Sequence, residues 1–195
     1  MQIEDGTGKG YGLKIGKEGH LRSVSITNDM PAHISQHEGL SFQCVATHVI
    51  SGAGTKTVLH IRNDSDTHVL IPTLWLIQLV DPAGGTAVPS INTYTTLTFG
   101  ETYSSGGTAL TPVNLNRMSS NIPAATIYHN NPTLTGTATE FNRHYIVDED
   151  AYLFDTRDTL VLGRNNTLAI KCVTDHTSGT LLVVLRFSMV EIDGH

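Results

Sequence analysis

The segment Leu40 to Ile50, LSFQCVATHVI, alternates between two sets of side chains with a period of two residues. Successive side chains of a β-strand point to opposite faces of a sheet, so this period indicates a strand with one buried face. The C-terminal segment Leu181 to Ile192, LLVVLRFSMVEI, has the same strand character. We predict that both segments are central strands of a sheet.

Turn residues divide the rest of the chain into short strand candidates, as at Ser51-Gly52-Ala53-Gly54 and at Asp81-Pro82-Ala83-Gly84-Gly85. Eight or so strands at intervals of roughly 8 to 12 residues, with no long helical period, favour an antiparallel sandwich or barrel. A single-layer meander of this length would leave one face uncovered. The sequence therefore predicts an all-β fold, an antiparallel β-sandwich of jelly-roll type.

The periodicity also predicts which side chains form the core. Pro72 interrupts the long apolar segment Val69 to Val80, and we expect it at a bulge or a strand edge. Gly100 to Gly107 and Arg117 to Pro123 are predicted loops, within a loop-rich region of about residues 82–136. The predicted core consists of Phe42, Cys44, Ala46, Leu59, Ile61, Leu74, Leu76, Leu168, Ile170, Val183, Leu185 and Phe187.

Residues 1–27 differ in composition from the rest of the chain. Six glycines make ordering of the backbone costly and helix formation unfavourable. Two short strand-like pieces flank the turn Gly16-Lys17-Glu18-Gly19. We predict an extended N-terminal arm with a short hairpin at residues 1–27, followed by a single sandwich domain at 28–195, a size that can bury a core of its own.

Charge and hydropathy exclude several classes of function. The net charge is −6, and the 12 Lys and Arg residues are scattered singly, whereas phosphate binding requires clustered cations. The longest apolar segment is far shorter than the roughly 20 residues of a membrane helix. The first residues lack the cationic and apolar pattern of a secretory signal. We expect neither nucleic acid nor a membrane as a partner. We also expect that the protein is made in the cytoplasm and is not secreted.

Side chains capable of catalysis or metal binding are present, but the two cysteines and the histidines of the C-terminal half do not stand at metal-ligand spacing. Cys44 and Cys172 have no partner at zinc-ligand spacing and are interpreted as buried thiols. The residues near His129, His144 and His176 do not form a His-x-His or His-x3-His pair. We expect no metal and no cofactor.

The acidic clusters and the serines also fail to indicate a metal site or a catalytic site. Asp64 with Asp66, and the run at 148–150, could bind calcium, but a solvated turn explains each cluster better. Gly-x-Ser-x-Gly is absent, and Lys9 is followed by Gly10 where a phosphate-binding loop needs Ser or Thr. Glu140 and His144 stay unassigned. The sequence predicts a protein that is not an enzyme.

Three blocks of sequence carry a family resemblance. The first is Ile-Glu-Asp-Gly-Thr-Gly-Lys-Gly-Tyr near the N-terminus, followed by Leu-Arg-Ser-Val-Ser-Ile. The second is the strand and turn TVLHIRNDSD at 57–66. The third combines LVLGRNNTLAI at 160–170 with the C-terminal strand. Together these blocks resemble small virion structural proteins of tailed bacteriophages.

The resemblance implies a virion protein, with a capsid decoration or cement role expected first. Such a protein is expected to be a homotrimer whose partners are the phage major capsid protein or other virion proteins. A neck or tail collar, adaptor or fibre-base protein is the alternative. A carbohydrate-binding module, with Trp75, Tyr94, Tyr103 and Tyr128 stacking on sugar rings, is a third hypothesis.

The arm is the predicted docking element of this protein. Its apolar side chains could add to the edge of a neighbour's sheet, and its lysines could meet carboxylates there. The residues expected to contact the partner are Lys9, Tyr11, Leu13, Ile15, Leu21, Val24 and Ile26.

Overall fold

The computed structural model describes residues 38–83, 93–146, 151–156 and 160–191. Within these ranges no helix is both long enough and apolar enough to cross a membrane. The predicted arm at 1–27 lies outside the described residues. The strands are β1 (Ser41–Ile50), β2 (Gly54–Asn63), β3 (His68–Ala83), β4 (Tyr94–Phe99), β5 (Thr102–Ser105), β6 (Thr108–Ala109), β7 (Val113–Asn114), β8 (Ala125–His129), β9 (Thr133–Thr135), β10 (Thr139–Tyr145), β11 (Ala151–Asp155), β12 (Thr167–Thr174) and β13 (Ser178–Glu191).

These strands form two large antiparallel sheets and a small ribbon. The five-stranded sheet has the order β11-β3-β13-β1-β7, and the six-stranded sheet has the order β10-β4-β12-β2-β8-β6. Strands β5 and β9 form a separate two-stranded ribbon. The prediction of an antiparallel all-β sandwich is confirmed.

One apolar core lies between the two large sheets. Phe42 of β1 and Phe187 of β13 are cross-strand partners, and their rings stack with centroids 5.5 Å apart. Leu168 and Ile170 of β12 are fully buried on the other side of this core. Every residue of the predicted core is buried except the two on β3, Leu74 and Leu76.

The prediction of which β3 side chains face the core was wrong. Leu74 and Leu76 are only partly buried, whereas Trp75 and Ile77 are 1% exposed and point into the core. The register shows the cause: Leu74 pairs with Arg186 while Pro72 pairs with Phe187, so Thr73 is an extra residue in the ladder. Such a bulge reverses the alternation along the strand. The prediction of a bulge near Pro72 is confirmed.

Both segments predicted as central strands have a neighbour on each side in the five-stranded sheet: β13 lies between β1 and β3, and β1 lies between β13 and β7. Among the described residues, β7 pairs with β1 only at Phe42 and Gln43.

Two boundaries also differ from the prediction. Strand β3 continues through Asp81 and Pro82, where the sequence predicted a turn, and β5 lies within the predicted loop at 100–107. In both places the partner is remote in sequence: β3 pairs with β13, and β5 pairs with β9. Local turn chemistry does not reveal such pairings.

The fold predicts a clear difference between the two faces of β13. Phe187→Ala should lower the free energy of unfolding by about 3–5 kcal/mol, because the change removes a buried ring and leaves a cavity. Val184→Ala, on the opposite face of the same strand, should cost only about 1 kcal/mol. Equal losses in urea denaturation would contradict the assigned faces.

Candidate interaction surfaces

The outer face of the six-stranded sheet is covered by the chain itself. Thr98, Ala169, His60 and Tyr128 form one row across β4, β12, β2 and β8 on the side away from the core. Residues 100–105, which follow β4 and contain β5, pack over this row: the ring of Tyr103 stacks on Tyr128 with centroids 3.7 Å apart. His60 is consequently 1% exposed although it faces away from the core.

A buried ion pair fastens the start of this covering segment. Lys171 Nζ lies 2.5 Å from Glu101 Oε1, and the two side chains are only 16% and 9% exposed. The hydroxyl of Thr98 donates a hydrogen bond of 2.8 Å to Glu101 Oε2. Both carboxylate oxygens of Glu101 are therefore bonded to the sheet beneath.

His60 contributes to the same attachment as a neutral ring. Its Nε2 lies 3.1 Å from the backbone oxygen of Glu101, so the Nε2–H tautomer donates to that oxygen. Burial lowers the pKa of His60, although the hydrogen bond to Glu101 opposes the shift. Its buried position under the segment gives His60 a structural role.

The outer face of the five-stranded sheet carries a row of aliphatic side chains. This row crosses four strands, from Val45 of β1 through Val184 and Leu76 to Leu153 of β11. Leu182 lies in the next row, between Thr47 and Gln78, and Val49 lies one row further, beside Thr180. We call this surface the aliphatic face and define it by Val45, Val49, Leu76, Leu153, Leu182 and Val184.

Much of the aliphatic face is open. Val45 is 48% exposed, Val49 66% and Leu153 59%. Formal charges occur in the end row, where Arg186 and Asp155 flank Leu74 and Arg186 Nε donates a 2.7 Å bond to Gln43. An open, nearly uncharged patch of this kind is typical of a protein interaction site.

The docking residues predicted from the sequence are not among those described. Lys9, Tyr11, Leu13, Ile15, Leu21, Val24 and Ile26 all lie in the range 1–37. The aliphatic face was missed because outward-facing Val and Leu of β1, β3 and β13 have the same residue types as core positions. Cross-strand registers, which the sequence does not contain, were needed to identify it.

The acidic turns are engaged with neighbouring side chains. Asp64 accepts from Arg62 Nε, at 2.5 Å, and from the hydroxyl of Thr126. Asp66 lies 3.9 Å from Arg164. The run at 148–150 lies outside the described residues. In the part of the chain that the structure describes, no group of three or more His, Cys, Asp or Glu side chains converges on a metal site.

The remaining candidate residues have local structural partners. Glu140 accepts two bonds of 2.9 Å from Arg143, while the ring of His144 stacks on Tyr152. Cys44 and Cys172 are buried and free, and burial raises the pKa of each thiol to about 12. At neutral pH both thiols are protonated and unreactive.

The four aromatic residues of the carbohydrate hypothesis do not form a common platform. Trp75 is 1% exposed in the core, and Tyr103 and Tyr128 stack on each other. The guanidinium of Arg143 lies 4.6 Å from the ring centre of Tyr94. All four rings are already engaged by other parts of the chain.

Comparison with known proteins does not place the chain in a family. No protein-family model matches the sequence, and no curated protein matches it.

The ion pair gives a test of how the covering segment is held. Lys171→Met should lower the free energy of unfolding by about 3–5 kcal/mol, because it leaves the Glu101 carboxylate buried without a counter-charge. Adding Glu101→Gln should recover a large part of the loss, as measured in a double-mutant cycle by urea denaturation. Arg164→Met, which breaks the exposed pair with Asp66, is the control and should change stability little. Additive effects of the two changes at the buried pair would contradict the coupling.

Proposed function

We propose that this chain is a non-enzymatic structural protein of a bacteriophage virion that binds and stabilises the capsid as a decoration or cement protein. The observation that carries the proposal is that one outer sheet face is covered by the chain itself and the other is exposed. One is covered by the chain's own residues 100–105, and the other presents an open aliphatic face. A fold that completes its own core and leaves such a face open is suited to assembly with other proteins.

We further propose that the sandwich is a jelly roll. The eight long strands in chain order are β1, β2, β3, β4, β10, β11, β12 and β13. Numbered one to eight, they take the order six-three-eight-one in one sheet and five-four-seven-two in the other. Two nested Greek keys produce this order, and they define the jelly roll found in many viral capsid domains.

In the proposed role the protein is a homotrimer on the surface of the head. A small protein at a three-fold position of a lattice contacts three equivalent capsid subunits at once. Individually weak contacts then add through effective concentration. The partners are further copies of this chain and the major capsid protein, and the site of action is the virion, after synthesis in the bacterial cytoplasm.

The N-terminal arm is the proposed contact with the capsid. Fixing its backbone costs roughly 1–2 kcal/mol per residue, so a glycine-rich arm needs an external strand edge or groove to order it. The alternating pieces around Leu13 and Val24 suit addition to a neighbour's sheet, and Lys9 would meet carboxylates there.

A neck or tail location, as a collar, adaptor or fibre-base protein, is the alternative within the same class. The two locations differ in symmetry and therefore in copy number: roughly hundreds per particle for a head lattice, against about a dozen for a neck or tail ring. Quantitative mass spectrometry of the parent virion separates them.

Removal of the arm tests the proposed docking. A chain that begins at Asn28 should fold with an unchanged strand spectrum by circular dichroism, because the described sandwich begins after that residue. The shortened chain should fail to bind particles that lack the protein, whereas the full chain decorates them in a co-sedimentation assay. Equal decoration by both chains would show that the arm is not the docking element.

A further inference from the structure

The aliphatic face is large enough to be half of a protein interface. Four strands about 4.8 Å apart span about 19 Å, and the rows from Gln43 to Val49 extend about 20 Å along the strands, giving a footprint of about 400 Å². Single patches of roughly 300–600 Å² on a monomer are often functional. A standard interface buries about 800 Å² on each partner, so the face supplies about half of one partner's share.

We infer that the aliphatic face is the surface through which copies of this chain associate with one another. This inference deepens the proposed function, since it rests on the self-association proposed there and names the surface that carries it. The net charge of −6 makes copies repel one another at long range. The face itself holds one Arg and one Asp at its end row, so its own charges cancel.

The near absence of charge lets the face meet its own copies. Close to a three-fold axis the same residues of three copies meet one another, so a surface there must be compatible with itself. Aliphatic side chains such as Val45, Val184 and Leu153 satisfy this requirement without a charge partner, whereas a charged face would repel its own copy.

The edge of the sheet extends the same surface. Strand β1, which carries Val45 and Val49, has a ladder partner on its second side only at Phe42 and Gln43 among the described residues. A neighbouring copy can therefore approach the face and the adjoining edge together. This edge adds main-chain donors and acceptors to the aliphatic contact.

Charge makes residues 1–37 of the same chain a poorer occupant of this face. Residues 1–37 carry four cations, Lys9, Lys14, Lys17 and Arg22, and four carboxylates, Glu4, Asp5, Glu18 and Asp29. Contact with the face would take these charges out of water against only one Arg and one Asp. A second copy, with an equally uncharged face, matches better.

Lysine substitutions at the exposed positions test the inference in the full-length protein. Val45→Lys and Leu153→Lys should each weaken self-association at least tenfold in sedimentation velocity at micromolar concentration, because each places an unpaired charge in an apolar contact. Met118→Lys and Ile122→Lys are matched controls, since these apolar residues are 97% and 81% exposed in the loop between β7 and β8. Both controls should associate as the wild type does, and wild-type association should persist at about 0.5 M salt, where exposed charges are strongly screened.

Three outcomes would overturn the inference. These are a monomeric wild-type protein, face variants that associate as tightly as the controls, and loss of association in the chain that begins at Asn28 while the face variants still associate. Circular dichroism checks the fold of every variant, and Val45→Thr and Leu153→Thr replace any lysine variant that does not fold. Particle binding by the arm is measured separately, so failure of self-association leaves the decoration role open to its own test.

Discussion

Two sheets that pack against each other bury only two of their four faces, and the remaining pair must meet water, the chain itself or another protein. This constraint organises the whole molecule. On one side the chain provides the cover, with Tyr103 stacked on Tyr128 and Glu101 paired with Lys171. On the other side Val45, Val184 and neighbouring aliphatic residues stay open. The asymmetry divides the sandwich into a self-sufficient side and a side suited to assembly.

The residues that cover the six-stranded sheet are held by an ion pair at Glu101 and by an aromatic stack at Tyr103. A buried ion pair contributes little net stability compared with apolar packing, but it strongly disfavours any arrangement that separates its partners. Its placement at the first residues after β4 therefore fixes where residues 100–105 depart from the sheet. The aliphatic face has no comparable polar anchor among the described residues, which is consistent with a surface that copies can join and leave.

The sequence predicts the buried face of a strand where the alternation is unbroken, and fails where a bulge shifts the phase. In β1 the set containing Phe42 and Cys44 alternates with a set containing Gln43 and Thr47, and the assignment of the buried set is confirmed. In β3 both sets are apolar, and the bulge at Thr73 shifts the phase, so Leu74 was placed in the core wrongly. Glu101 and Lys171 are 70 residues apart, and nothing local in the sequence links them. The aliphatic face depends on the register of four strands and was inaccessible for the same reason.

The position of the last strands affects the biosynthesis of the protein. Strand β13 lies between β1 and β3, and β12 lies between β2 and β4, so each sheet lacks an inner strand until the last part of the chain is made. Because the ribosome adds roughly 5–20 residues per second, β1 and β3 remain without their partner β13 for several seconds after they are made. Such a topology, dominated by distant pairings, folds slowly. The nascent chain therefore exposes apolar side chains of β1 and β3 during the interval before β13 closes the sheet.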